Sequence, residues 1–329
     1  MSEQLKFIHL RNHTEYSLVD GIMRVKPMVK RAAELSMPAI AVTDHVNMFA
    51  AVKFYRAALS AGVKPILGAD ILIKDTVEQK KPYIVTLLVQ DQEGYLALSE
   101  LISEAYLHGQ EKGIPYLTSE KVLDNNKGLI VLSGCLDGLL SIAVGSDDHE
   151  ACSQIVQRWQ QVFTDRFYLE VQRVGRPGEE KLIANMVALS IKHQIAVVAT
   201  NGCCFLSQAE FDAHEARVCI NQGRVLSDSR RLKTHTEQQY LKTQDEMLEL
   251  FSDLPEAVEN TLEIAKRCNV ALNLGENFLP DFPLPEGLTI DEYFAQLAEE
   301  GLQRRIDETS ARIDFDAERI ALYQARLKR

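Results

Sequence analysis

The stretch His9–Gly21, HLRNHTEYSLVDG, decides how the rest of the chain is read. It completes a β-like run, KFIHLRNH from Lys6, that ends on an imidazole, His13, and then reaches a carboxylate, Asp20, just before Gly21. Arg11 lies two residues before His13, on the same face of an extended strand. Imidazole and carboxylate at a strand end are metal-ligand types, and the arginine stands where a further ligand would complete the set. The pattern poses a choice between a metal-dependent active centre and the remains of one.

Further strands follow the same design. Short apolar, β-branched runs begin at Ala39 (AIAVTDH), Lys64 (KPILGADILI), Tyr83 (YIVTLLVQD), Gly128 (GLIVLSGC), Arg166 (RFYLEVQRV) and Ala196 (AVVATNG). Amphipathic patterns between them predict helices near 25–36, 47–62, 93–109, 148–163 and 178–193. Such alternation predicts an α/β fold with a parallel sheet and crossover helices. Seven units whose strands are apolar on both faces suit a closed barrel better than an open sheet. No strand runs into a GxGxxG or GxxxxGK loop, which argues against the nucleotide-binding folds.

Beyond Gly202 the pattern turns helical. Capping boxes are expected at Ser207 with Glu210, Thr243 with Glu246 and Thr289 with Glu292. The proline-rich break in NLGENFLPDFPLPEG, from Pro280 to Pro285, suggests a boundary between residues 1–272 and 273–329. The last stretch, FDAERIALYQARLKR, is a helical pattern with no stop signal, as expected of a chain cut from a longer polypeptide.

Composition narrows the function classes. The 329 residues carry a net charge of −11, a surface that repels phosphates and makes a poor nucleic-acid binder by itself. The basic stretch RVLSDSRRLK, with one interspersed acid, Asp228, reads as a solvated loop. No run approaches the ~20 apolar residues of a membrane span, and MSEQLKFIHL lacks the apolar core of a signal peptide. A cytoplasmic location is therefore expected, with no membrane partner. The six cysteines include no CxxC pair and are expected to be reduced.

In a parallel barrel, functional side chains collect at the C-terminal strand ends. Those positions hold Arg11, His13 and Asp20; Thr43, Asp44 and His45; Asp70; Cys135; Glu170 and Gln172; and Asn201, Cys203 and Cys204. Blander readings stand beside them. Asp44 can cap the following turn. Cys135 can be a small buried hydrophobe, and Cys203–Cys204 two buried thiols rather than a metal-binding pair. His108, His149, His193 and His235 read as structural histidines.

HTEYSLVDG, TDH, LGAD, LSGC and VVATN occur in the order and spacing of the polymerase and histidinol phosphatase (PHP) domain, which this chain resembles. KTQDEM, NTLEIAKRC and LPDFP narrow the resemblance to the amino-terminal part of bacterial replicative DNA polymerase III alpha subunits. It covers essentially the whole chain. It implies a distorted seven-stranded β/α (TIM-like) barrel over 1–272, then a linker and the start of a polymerase palm over 273–329. Active members of the family hold up to three divalent ions on nine side chains and hydrolyse phosphoesters.

Carried over residue by residue, the resemblance puts His13, Asp20, His45, Asp70 and Cys135 at ligand positions, Asp70 where glutamate is usual. Arg11 replaces a histidine, Ile84 another, and Gly202 and Cys204 an aspartate and a histidine. Arg11, His13, Asp20, Asp44, His45, Asp70, Cys135 and Cys204 are thus expected to form a vestigial site with no catalytic residue. The Arg11 guanidinium is expected to pair with Asp20 or Asp70 and to stand in for a lost ion. Any residual zinc, manganese or magnesium would use His13, Asp20, His45, Asp70 or Cys135.

The function this implies is that of a scaffold and docking platform for the proofreading exonuclease subunit of the polymerase III core. The parent protein would be a DNA-directed DNA polymerase, a nucleotidyltransferase using magnesium. Its palm, thumb and fingers on the same chain would make most of the DNA contacts. The competing implication is a surviving phosphoesterase, a 3′–5′ exonuclease or pyrophosphatase, in which His45 and Asp20 share one ion.

Overall fold

Six strands build one curled, mixed sheet, and a short hairpin lies apart from it. The strands are β1 Ala39–His45, β2 Lys64–Ile73, β3 Tyr83–Val89, β6 Leu129–Leu132, β7 Phe167–Gln172 and β8 Val197–Thr200, hydrogen-bonded in the order β1-β2-β3-β6-β7-β8. Between β3 and β6, the two-residue strands β4 Gln110–Glu111 and β5 Ile114–Pro115 make the hairpin. The computed structural model describes residues 6–76, 79, 81–228, 230–277, 279, 282–313 and 316–328. Pro280, the first proline of the expected boundary, lies outside the described residues.

The predicted parallel sheet holds for β1–β2, β6–β7 and β7–β8, but β3 runs antiparallel to both neighbours. The cause is the connection 74–82, too short for the crossover of about a dozen residues or more that a parallel neighbour needs.

The amino-terminal segment bridges the two sheet edges. Ala41 donates its N–H to His9 O (2.9 Å) and Thr43 to Asn12 O (3.0 Å) on the β1 side. On the other side His13 N–H bonds Cys203 O (2.8 Å) and Cys203 N–H bonds Arg11 O (3.1 Å). This is the seventh position of the barrel, filled by irregular rather than laddered backbone. The Asn12 amide donates to His9 O and Ala41 O, at 3.0 Å each, adding a second bond to the first and satisfying in the second a carbonyl that a regular ladder would pair with an N–H.

Inward-facing residues alternate along each strand. Ala39, Ala41, Ile66, Leu88, Ile130, Leu132, Tyr168 and Val198 form one apolar cluster with Ile8 and Leu10. Ile264, Ala265 and Cys268, at the end of helix Pro255–Arg267, close that end of the barrel. The opposite strand faces, Ile40, Leu67, Leu87, Val131 and Leu169 among them, pack in a larger cluster with the surrounding helices. Farther along the inward rows the residues become polar: Thr43 and His45, Asp70, Thr86, Glu170 and Gln172, Thr200. One strand pattern therefore makes an apolar floor and a polar mouth.

Helices Val25–Glu34, Ala51–Ser60, Gln92–His108, His149–Phe163 and Glu179–His193 occupy the predicted stretches. The capping boxes at Ser207, Thr243 and Thr289 are all formed. The chain divides into two compact units, Met1–Leu272 and Asn273–Arg329. Within the second, helices Ile290–Ser310 and Ala317–Leu327 pack together and Ile306 is buried. Among the described residues no helix is long and apolar enough to cross a membrane.

Candidate metal centre at the barrel mouth

The mouth has two sides. On the first, the buried Arg11 guanidinium reaches Asp70 Oδ2 through Nε at 2.8 Å and Nη2 at 2.7 Å. Its Nη1 lies 3.5 Å from Glu170 Oε1. Thr86, paired with Asp70 across β2 and β3, donates its hydroxyl to Asp70 Oδ1 at 2.5 Å. Gln172 Nε2 (3.1 Å) and the Thr200 hydroxyl donate to Glu170 Oε1. Of the two partners expected for Arg11, the fold selects Asp70. Burial acts against both charges, but each outweighs it for the other. Asp70 and Glu170 hold the guanidinium pKa above its usual value, and Arg11 holds the Asp70 carboxyl below its usual range.

On the second side Asp20 is ringed by imidazoles. His13 Nδ1 lies 3.0 Å and His45 Nε2 3.1 Å from Asp20 Oδ2. His13 Nε2 lies 2.9 Å from Asp70 Oδ2, so this one ring joins the two sides. Buried His45 Nδ1 has no hydrogen-bond partner. Burial would raise the Asp20 pKa, yet the charges of His13 and His45 hold it well below the usual carboxylate range. Burial would lower that of His13, and Asp20 instead keeps it well above the usual imidazole value.

A third histidine on Asp20 is His235, with Nε2 3.5 Å from Oδ2, although its sequence context read as structural. Burial opposes its charge, but hydrogen bonding to Asp20 pushes its pKa up to about 10. His235 belongs to the irregular stretch that follows helix Phe211–Gln222. That helix contributes His214, which packs edge-on against His235 with ring centroids 4.7 Å apart. Neither histidine lies at a strand end, and no spacing rule could have singled them out.

The remaining expected residues divide. Asp44 faces away from the mouth and clasps the 14–20 loop, accepting from Thr14 N–H (2.6 Å), Thr14 Oγ1 (2.8 Å) and Ser17 Oγ (2.8 Å). Cys135 packs in the large apolar cluster, and burial pushes its thiol up to about 12. The vicinal cysteines part, as neighbours on an extended chain must. Cys203 Sγ donates to Tyr240 O at 3.2 Å, while Cys204 Sγ turns to the mouth, 3.8 Å from His13 Nδ1. The two thiols therefore do not act as one metal-binding pair. The exposed His108 pairs with Glu104 on its own helix.

Among the described residues, two trios bring their ligating atoms within 4.8 Å of one another: His13, Asp20 and His45, and Cys204, His214 and His235. The first fits one ion of the zinc or manganese class. On the other side the guanidinium fills the space beside Asp70 and Glu170. Ile84 offers no donor side chain, and Gly202 is held at φ +52° against Gln172.

Residues 9–174 match the PHP domain family. The chain belongs to the PHP domain family. Over 300 residues it is 48% identical to DNA polymerase III subunit alpha of Pseudomonas fluorescens, covering 91% of this chain and 26% of that protein. The Escherichia coli K12 subunit is 41% identical over 306 residues, 93% of this chain and 26% of its own length. The chain thus spans about a quarter of the length of the curated relatives it matches. Among solved structures, an amidohydrolase from Chromobacterium violaceum aligns with a TM-score of 0.39 at 11% identity, over 59% of this chain and 86% of that one. So partial a likeness says nothing of chemistry.

Proposed function

We propose that this chain is the amino-terminal PHP region of a replicative DNA polymerase III alpha subunit, and that its barrel mouth is a scaffold rather than a hydrolytic centre. The carrying observation is the Arg11 guanidinium, bonded to Asp70 and facing Glu170 where a cation would otherwise compensate them. A covalently attached charge neutralises the carboxylates, but it cannot polarise a phosphate or generate hydroxide as a bound metal does. Residues 273–329 are read as a linker and the beginning of the palm.

In this reading polymerisation, its magnesium and most DNA contacts belong to palm, thumb and fingers elsewhere on the parent chain, in the cytoplasm. The net charge of −11 supports that division, since this segment repels a phosphate backbone. Proofreading would come from a separate exonuclease subunit docked on the PHP barrel.

A second reading rests on the convergence of His13, Asp20 and His45. One ion there could sustain a residual phosphoesterase. The two readings separate by assaying phosphate release from a generic ester and from pyrophosphate with Mn²⁺ or Zn²⁺. We expect no turnover above background; metal-dependent turnover that His45→Ala abolishes would establish the second reading. The docking part is tested by pull-down with the exonuclease subunit of a polymerase III core, where failure to co-purify would defeat it.

A further inference from the structure

The trio Cys204, His214 and His235 lies beyond the catalytic pattern. Only Cys204 occupies one of the family's ligand positions; His214 comes from the helix Phe211–Gln222 and His235 from the irregular stretch after it. Three separate segments thus deliver one sulfur and two imidazole nitrogens, all within 4.8 Å of one another. A thiolate and two imidazoles are the donor set of closed zinc sites.

His214 supplies the independent observation. Its side chain is wholly buried, yet among the described residues neither ring nitrogen has a partner at hydrogen-bond geometry, and the polar group it faces is the Cys204 thiol. A buried imidazole left so has given up its hydrogen bonds to water without replacement, which is destabilising. The nearest carboxylate is Glu215, whose Oε1 lies 3.9 Å from His214 Nδ1 and whose Oε2 pairs with Arg231. Phe205 and Phe211 wall the ring from other directions. An ion on the Cys204 side would take the lone pair of one ring nitrogen and lift that part of the cost.

We propose that Cys204, His214 and His235 bind one zinc-class ion that clamps residues 235–242 over the barrel mouth. Around it the backbone already meets the barrel: Cys204 N–H bonds Gln239 O (2.9 Å) and Gln239 Nε2 bonds Gly202 O (3.1 Å). Asp20, 3.5 Å from His235 Nε2, is the carboxylate in reach of a fourth position. The role is structural, because the site ties segments distant in sequence and is buried. The ion takes Cys204 as thiolate and both histidines as neutral imidazoles, so the proton that His235 carries against Asp20, and any on the thiol, leave to solvent.

The test uses the intact chain and zinc or cobalt(II) alone. Metal analysis of the purified protein is expected to find about one zinc per chain. Chelation is expected to lower Tm by about 5 °C or more. Cobalt(II) substitution is expected to produce the near-ultraviolet thiolate-to-metal charge-transfer band. Cys204→Ser removes that band, His214→Gln and His235→Ala each weaken cobalt binding at least tenfold, and His108→Ala, on an exposed helix face, leaves both unchanged. If Cys204→Ser does not fold, the histidine variants decide by affinity. Absence of bound zinc and of the cobalt band overturns the proposal. So does loss of the ion in His45→Ala with retention in His214→Gln, which would move it to the other trio.

Discussion

The two sides of the barrel mouth solve one electrostatic problem differently. At Arg11, two buried carboxylates from β2 and β7 face a guanidinium that keeps its charge at every working pH. At Asp20, one carboxylate faces imidazoles that can carry a proton or exchange it for a metal. The first arrangement holds structure and has no coordination chemistry. The second keeps donor atoms and stays responsive to ions. One half of a barrel mouth can therefore be filled by a fixed cation while the other keeps ligands.

The largest expected effect comes from Arg11→Ala. It strands Asp70 beside Glu170 without the cation, and the loss is about 3–5 kcal/mol by chemical denaturation. A loss below about 1 kcal/mol would show that the pair contributes nothing net. The same variant tests the sign of the coupling. Because Arg11 depresses the Asp70 pKa, the stabilisation is present above the unfolded value near ~4 and disappears as pH falls through the folded one. Acid unfolding of Arg11→Ala is thus expected at higher pH than in the wild type. An unshifted acid midpoint would contradict the pairing.

Thr86→Val is next. It leaves Asp70 Oδ1 without its hydroxyl donor and is expected to cost about 1–3 kcal/mol in urea unfolding. Gly202→Asp would restore the family's carboxylate, but at φ +52° with a new Cβ 3.1 Å from Gln172 Nε2. The backbone strain is expected to cost about 1–2 kcal/mol, and phosphate release is expected to stay at background. A gain of hydrolysis there would mean that Arg11 does not block the site. The smallest effect is reserved for Arg176→Ala, which breaks a pair with the half-exposed Asp137. Thermal unfolding is expected to register about 0–1 kcal/mol, against several for Arg11.

How far the site was legible follows from reach along the chain. Asp20, His45 and Asp70 could be found because strand alternation and strand ends are local properties. His235 could not, since it comes from an irregular stretch and meets Asp20 only after the chain has closed its barrel. His214 is hidden likewise on a helix that no strand-end rule includes. The parting of Cys203 from Cys204 was readable in principle, because consecutive residues of an extended chain face opposite ways.

By itself the sequence determined β1 and β2 residue for residue, the helix positions and the capping boxes, since apolar periodicity and first-turn hydrogen bonding act over a few residues. The resemblance to the family motifs also implied which ligand positions hold other residues here. Only the tertiary structure decided that β3 runs against its neighbours, that Arg11 takes Asp70 and faces Glu170, and that two histidines from beyond the barrel join Cys204 and Asp20. Those outcomes depend on which surfaces meet when distant segments pack, and burial then sets the strength of each charge it encloses.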